Sequence, residues 1–453
     1  MFRSGNWRQE TRGLLGLAGP LIINNLSIAG MHFADAVMAG RLGAESLAAV
    51  AIGGSVWFFG FTICLGTLMA ISPIAARHYA AGNSELIGRY TRQGIYLGIF
   101  VAIALIFIAF RFVGPFLDVI GIDPGFRDLT NGYVRAIVLG GPAIFIFLAL
   151  RFTSEGIGET KPIMYASVFS LVVNVFLNWV LMYGHFGAPA LGAVGCGYAS
   201  AITMWLIMIA LAIYMVRSPK YRKLQIFSRI SPVRPGALKE ILVLGVPIAV
   251  TITAEAGLFN AVSVLMGTRG ASIAAAHQVA INFAMTMFMI PLALSSAITI
   301  RVSHALGAGN VQAARFSGGF GILVCGLFMS CSAAFMLLFR DVVVSIYTND
   351  PSVTSIAVNL LLMAAIFQIA DGVQIGSAGA LRGYKDTRWP MVINTFAFWV
   401  LAFPLAYLAA VTYKAPPAYT WGAFIVGLSV AAVLLVWRYV RLSRAHLAVG
   451  YGF

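Results

Sequence analysis

About twelve stretches of 17 to 30 residues in this 453-residue chain run without a break in apolar character. Each is long enough to cross a hydrocarbon core about 30 Å thick as a helix. They fall at 14–38, 46–76, 93–113, 132–152, 161–184, 191–216, 240–266, 273–300, 317–339, 354–380, 390–412 and 420–437. In hydrocarbon a backbone must satisfy its own N–H and C=O groups, and runs that are continuous rather than alternating do so as helices, not as a β-barrel. With 60% hydrophobic and 10% charged residues, against about 25% charged in soluble domains, the soluble, fibrous and disordered classes are excluded. The expectation is an all-α polytopic membrane protein with twelve transmembrane helices.

Thirty Lys and Arg against fifteen acids leave a net charge of +15. A nucleic-acid binder would gather that surplus on one stripe, but here it sits at the ends of the apolar runs, so no nucleic-acid partner is expected. With the N-terminus on one side, that side collects 23 basic residues and the other six, with Arg135 left inside the fourth span. The bias makes the side of both termini cytoplasmic. The first span carries Pro20 and Asp35 and lacks a small-residue cleavage site, so it reads as a retained span. Cys64, Cys196, Cys325 and Cys331 all lie in apolar runs, where cysteine behaves as a small hydrophobe.

Sliding the chain on itself by 227 residues aligns Leu15–Asn83 with Leu242–Asn310 without a gap and gives 20 identities in 69 positions, where about six are expected by chance. Pro20 matches Pro247, Gly30 matches Gly257, and Ala81-Gly82-Asn83 matches Ala308-Gly309-Asn310; further on Gly156 matches Gly383. The chain is a duplication: a six-helix lobe over 1–216, a basic linker over 217–239 and a second six-helix lobe over 240–453. Six is even, so both halves enter the membrane from the same side and are related by an axis along the membrane normal, the parallel-repeat plan of transporters that work by alternating access.

A carboxylate deep in a span costs about 2.5 kcal/mol or more, which makes it a functional residue by default. Glu255 in the seventh span, Asp371 in the tenth and Asp35 in the first qualify. Gln368 and Gln374 flank Asp371 at i−3 and i+3 and share its helix face. The repeat places Ile28 opposite Glu255, Val262 opposite Asp35 and Ile144 opposite Asp371, so the acids break the symmetry that the glycines and prolines keep. Asn174 and Asn178, and Gln278 and Asn282, are i,i+4 amide pairs, each able to present two carbonyls on one face or to bind neighbouring helices. Met285, Met287 and Met289 precede Pro291 on the eighth span and suit either core filling or a pliable pocket. Nucleotide-hydrolysis, zinc-protease and serine-hydrolase signatures are absent, and His32 and His277, the histidines within spans, have no evident zinc partners. No cofactor is expected, and energy must come from an ion gradient. A carboxylate held out of water can be neutralised by a proton, a sodium ion or an organic cation, but by one at a time, which is the logic of antiport.

Four segments together carry a resemblance: Met31-His32-Phe33-Ala34-Asp35-Ala36-Val37-Met38-Ala39-Gly40, Asn174-Val175-Phe176-Leu177-Asn178-Trp179, Ala276-His277-Gln278-Val279-Ala280 and Leu381-Arg382-Gly383-Tyr384-Lys385-Asp386-Thr387. In these, and over essentially its whole length, the chain resembles the multidrug and toxic compound extrusion family, in its NorM-like bacterial branch. The resemblance implies a V-shaped pair of six-helix lobes in the inner membrane that exports amphipathic, often cationic drugs and dyes in exchange for Na⁺ or H⁺. It ties Asp35, with Asn174 and Asn178, to proton or cation coupling, and Glu255 and Asp371 to cation binding, Na⁺ included, in the second lobe. Gln278, Asn282, Phe367 and Gln374 join them as candidate substrate-binding positions. This chain departs from the pattern at Asn178, where some relatives carry aspartate, and at Phe367, where NorM-like members can carry tyrosine. A lipid-linked precursor flippase and a polytopic enzyme are the competing readings. The first would line its cavity with Arg and Lys, and the second needs a nucleophile and base or a metal cluster within the spans. One duplicated chain supplies both lobes, so a monomer suffices.

Overall fold

The computed structural model describes residues 7–228, 231–348 and 350–449. Among them every regular element is helical: α1 (Trp7–Leu42), α2 (Ala44–Leu68), α3 (Ile71–Ala80), α4 (Ser84–Val119), α5 (Pro124–Val138), α6 (Gly141–Gly156), α7 (Lys161–Tyr183), α8 (Gly192–Arg217), α9 (Pro219–Arg222), α10 (Pro235–Gly267), α11 (Ala271–Gly307), α12 (Val311–Tyr347), α13 (Pro351–Gly383), α14 (Arg388–Thr395), α15 (Phe403–Tyr407) and α16 (Pro417–Val449), with π-helical stretches at Phe396–Ala402 and Leu408–Thr412. Among the described residues eleven helices or continuous helical runs are long and apolar enough to span a membrane, and α5 and α6, bent by 46°, make up a twelfth, broken span where a single span over 132–152 was expected. The last helix runs past the expected end at 437 to Val449, because Tyr439 and Ser443 stay buried while the arginines beside them are exposed or half-buried.

The contacts divide the described chain at other points than the linker expected over 217–239. One unit holds Ile23–Ala249, the other Met1–Ile22 and Val250–Phe453. The two division points, after Ile22 and after Ala249, are 227 residues apart, the shift of the internal repeat, and each lies two residues beyond one of the matched prolines Pro20 and Pro247. The cause is side-chain packing. Leu14 and Ala18 belong to the same buried cluster as Leu258, Val262 and Trp421, and Glu10 forms a two-pronged ion pair with Arg301 on α11. The linker, in turn, is clamped onto α4. Gln93 donates to the Pro232 carbonyl at 3.1 Å and accepts from the Arg234 amide at 3.0 Å, and the Tyr96 hydroxyl donates to the Ser231 carbonyl at 2.9 Å. Tyr221, Leu224 and Ile226 are buried in the core of that unit.

Small residues let the helices approach closely, as packing in lipid requires. A Cβ on Gly156 would come within 2.6 Å of Ala75 Cβ and 2.8 Å of the Ser72 carbonyl; one on Gly383 would come within 2.7 Å of Val302 Cβ and 3.1 Å of the Thr299 carbonyl. Ser72 and Thr299, and Ala75 and Val302, are themselves 227 residues apart, so the matched glycines make the same contact in each repeat. Gly82 and Gly309, in the repeated Ala-Gly-Asn turn, both have positive φ, 78° and 72°, a conformation that glycine adopts without penalty. The repeats differ where α5 and α6 break: the matching segment is the unbroken α13, and Gly140 at the break corresponds to Phe367.

Candidate functional site

In the unit of residues 23–249, α1 and α7 are joined by polar side chains along their length. Asn24 and Ser167 are hydrogen-bonded, the Ser170 hydroxyl lies 3.5 Å from Met31 Sδ, and the Tyr183 hydroxyl donates to the Met38 carbonyl at 2.9 Å. Asp35 sits within this row, 8% exposed. Its Oδ1 accepts from Asn178 Nδ2 at 2.6 Å, and the same amide donates to Asn174 Oδ1 at 3.2 Å. The i,i+4 spacing of the two asparagines is what brings both to the α1-facing side of α7. From α8, Ser200 lies 3.5 Å from Asn174 Nδ2 and the Cys196 thiol lies against the Asp35 carboxyl. Asn178 Oδ1 is buried without a partner, and no Lys or Arg pairs with Asp35 among the described residues. Cys196 and Ser200 were not candidates from sequence, since a cysteine and a serine on an apolar helix carry no signal until their partners are known.

The other unit holds Glu255 on α10 and Asp371 on α13, close enough for the charge of one to act on the other. Asp371 is 3% exposed, and its Oδ1 has no hydrogen-bond partner among the described residues; the same holds for Gln374 Oε1, one turn further on. Gln368 accepts from Ser332 at 2.9 Å while its Nε2 lacks an acceptor. Ionised carboxylates are acceptors only, and neither Glu255 nor Asp371 pairs with Lys or Arg among the described residues. Beside Glu255, the Trp399 indole donates to the Ala254 carbonyl at 3.1 Å. Trp399 belongs to the π-helical stretch Phe396–Ala402, and such irregularities collect at functional sites. Hydropathy has no means of marking a π-turn, so Trp399 was missed. Asn394, fully buried one turn earlier with both amide atoms unpartnered among the described residues, was missed too.

The remaining candidates are placed otherwise. Phe367 is 2% exposed and packs against Phe259, Trp421 and Phe424 with ring centroids 5.9 to 6.0 Å apart, so it belongs to an aromatic core. Gln278 and Asn282 are exposed and hydrogen-bond to each other at 3.2 Å. His277 is buried between Trp421, which donates to its Nδ1 at 3.2 Å, and Ser263, 2.9 Å from its Nε2; it is a neutral structural histidine, since Nδ1 must be unprotonated to accept. Arg135 reaches the Phe110 carbonyl at 3.2 Å and lies over the Phe110 ring. No group of three His, Cys, Asp or Glu side chains able to hold a metal occurs among the described residues.

Comparison with known proteins bears on the family and the fold. The MatE family pattern matches residues 20–180 and again 247–408, two copies starting 227 residues apart. Multidrug resistance protein PmpM of Pseudomonas aeruginosa is 36% identical over 444 residues, covering 97% of this chain and 93% of that protein. The crystal structure of the eukaryotic MATE transporter AtDTX14 superposes with a TM-score of 0.87 at 23% identity, covering 98% of this chain and 99% of that one. An outward-facing multidrug resistance MATE transporter of the MOP superfamily superposes with a TM-score of 0.88 at 19% identity, covering 98% and 99%. With twin repeats, a full set of spanning helices and buried acids in both units, the chain is a multi-pass membrane transporter that belongs to the MatE family.

Proposed function

We propose that this transporter is a secondary active multidrug exporter of a bacterial inner membrane, with both termini in the cytoplasm. It exchanges amphipathic cationic drugs and dyes for Na⁺ or H⁺ by alternating access. The observation that carries the reading is the pair Glu255 and Asp371: a half-buried and a buried carboxylate that feel each other's charge, with Asp371 Oδ1 unpartnered and no Lys or Arg paired with either among the described residues. Two carboxylates in that setting are satisfied by one cation, whether proton, sodium or drug, and competition for the same charge couples inward movement of one to outward movement of another. Asp35, held by Asn178 and Asn174, offers a second carboxylate in the other unit. The 36% identity to a protein named for multidrug resistance supports the substrate class.

A flippase for anionic lipid-linked precursors would place arginine and lysine where this chain places acids, and a neutral substrate would not compete for a carboxylate. Purified protein reconstituted into liposomes and loaded with ethidium tests the proposal, with a Na⁺ or a pH gradient imposed separately. Ethidium is expected to move against its own gradient under at least one of the two. Equal dye flux with and without both gradients would sink it.

A further inference from the structure

We propose that the groove walled by Trp7, Phe316, Phe320 and Leu447 binds an anionic phospholipid, with an acyl chain in the groove and the phosphate on Arg315. The groove has a volume of about 470 Å³ and is lined also by Gln312, Gly319 and Leu323. Its walls are aromatic and set: the Trp7 ring stands edge-on to Phe316 and Phe320 at 5.5 and 5.1 Å, and those two rings stack on each other at 6.1 Å. Trp7 is 54% and Leu323 57% exposed, so these apolar surfaces have no protein cover among the described residues. Trp7 lies at the start of α1, Arg315 near the start of α12 and Leu447 near the end of α16. All three are helix ends on the side of the chain termini, where tryptophan and arginine meet lipid headgroups.

Charge decides the class of lipid. Arg315 forms no ion pair among the described residues, and the acid nearest in sequence beyond it on that side, Asp386, is taken by Arg438 at 2.7 Å. The Tyr439 hydroxyl donates to the Arg315 backbone carbonyl at 2.5 Å and leaves the guanidinium unused. The Arg315 guanidinium, with the exposed Gln312 amide beside it on the groove wall, is the donor there, and a phosphate diester supplies acceptor oxygens that a guanidinium engages in pairs. A cationic drug would meet Arg315 unfavourably, and a free inorganic phosphate would leave the aromatic groove open.

The test uses the full chain, delipidated in detergent. Phosphatidylglycerol is expected to raise the thermal midpoint more than phosphatidylethanolamine does, and inorganic phosphate is expected to leave it unchanged. Native mass spectrometry is expected to show retained phosphatidylglycerol falling about fivefold in Arg315→Gln, the scale of one basic residue at an anionic headgroup. Retention should fall also in Trp7→Ala and be unchanged in Arg217→Gln, which lies in the other unit. Because the Tyr439 bond goes to a backbone carbonyl, Arg315→Gln keeps the local packing. The proposal is overturned by equal retention in Arg315→Gln and the unaltered chain, by equal response to the two lipids, or by phosphate alone reproducing the shift. It is overturned as well if the lipid is retained only after residues 2–6 are deleted, for then the chain's own end occupies the groove.

Discussion

Asn178 holds Asp35: a single amide nitrogen on α7 donates to the Asp35 carboxyl at 2.6 Å and to Asn174 Oδ1 at 3.2 Å, across 143 residues of sequence in the first case and one helical turn in the second. The single oxygen of that amide, Asn178 Oδ1, has no partner among the described residues. A carboxyl kept in place by a neutral donor rather than by an arginine is free to take up and release a cation without breaking an ion pair. That distinguishes it from the chain's buried structural acids, Glu10 and Glu155, which are paired with Arg301 and Arg151.

Asp35→Asn is therefore expected to abolish gradient-driven dye efflux in proteoliposomes while the protein still inserts and purifies normally. Asn178→Ala removes only the donor. A hydrogen bond to a charged group is worth about 1.5–3 kcal/mol, so efflux should fall by about tenfold or more without vanishing. Efflux in Asn178→Ala equal to that of the unaltered chain would show that the amide does not hold the carboxyl in the working cycle.

In the proposed exchange Glu255 and Asp371, each within reach of the other's charge, share one cation, and residues that act together are not additive when removed. Glu255→Gln and Asp371→Asn are each expected to cut efflux by about tenfold or more, and the double variant should lose little beyond the worse single one. Full multiplication of the two single losses would assign the carboxylates to separate tasks.

Reading the sequence singled out these acids because burying charge is expensive whatever the fold around it, and it found the duplication, which the two copies of the family pattern also carry, because matched glycines and prolines keep their spacing. It did not show which lobe each helix packs into. Leu14 and Ala18 read as part of the first lobe, yet they are buried with Leu258 and Trp421. The segment after Arg217 read as a link between lobes, yet Gln93 and Tyr96 clamp it to α4. Hydrophobic period marks where a helix is apolar and carries nothing about the partner of that face. Phe367 likewise read as a candidate substrate-binding position, and its neighbours place it in an aromatic core.

The clamp on the linker can be loosened without touching any acid. Gln93→Ala and Tyr96→Phe together remove three hydrogen bonds to the segment, each worth about 0.5–1.5 kcal/mol. Tryptic cleavage at the exposed Arg222 and Lys223 should accelerate by about tenfold or more in the double variant. An unchanged cleavage rate would mean that the Arg92 bonds to Ser231 and Gln225 and the burial of Tyr221, Leu224 and Ile226 suffice to hold the segment down.

Gly156 and Gly383 make the same close approach in the two repeats, and the duplication predicts the same penalty for filling either one. A valine at Gly156 would press on Ala75 Cβ and the Ser72 carbonyl, and one at Gly383 on Val302 Cβ and the Thr299 carbonyl, all at 2.6 to 3.1 Å from the first added carbon. Backbone atoms stand on the far side of both contacts, so neither neighbour has a flexible end that can swing away. Overpacking of this kind costs about 1–3 kcal/mol, which should lower the thermal midpoint in detergent by several degrees for each variant and by similar amounts for the two. Gly16→Ala, where an added carbon meets nothing within 4 Å, is expected to leave the midpoint unchanged or to raise it slightly through its better helix propensity. A large loss at one of the matched glycines and none at the other would show that the repeats, although built alike at this contact, tolerate strain differently.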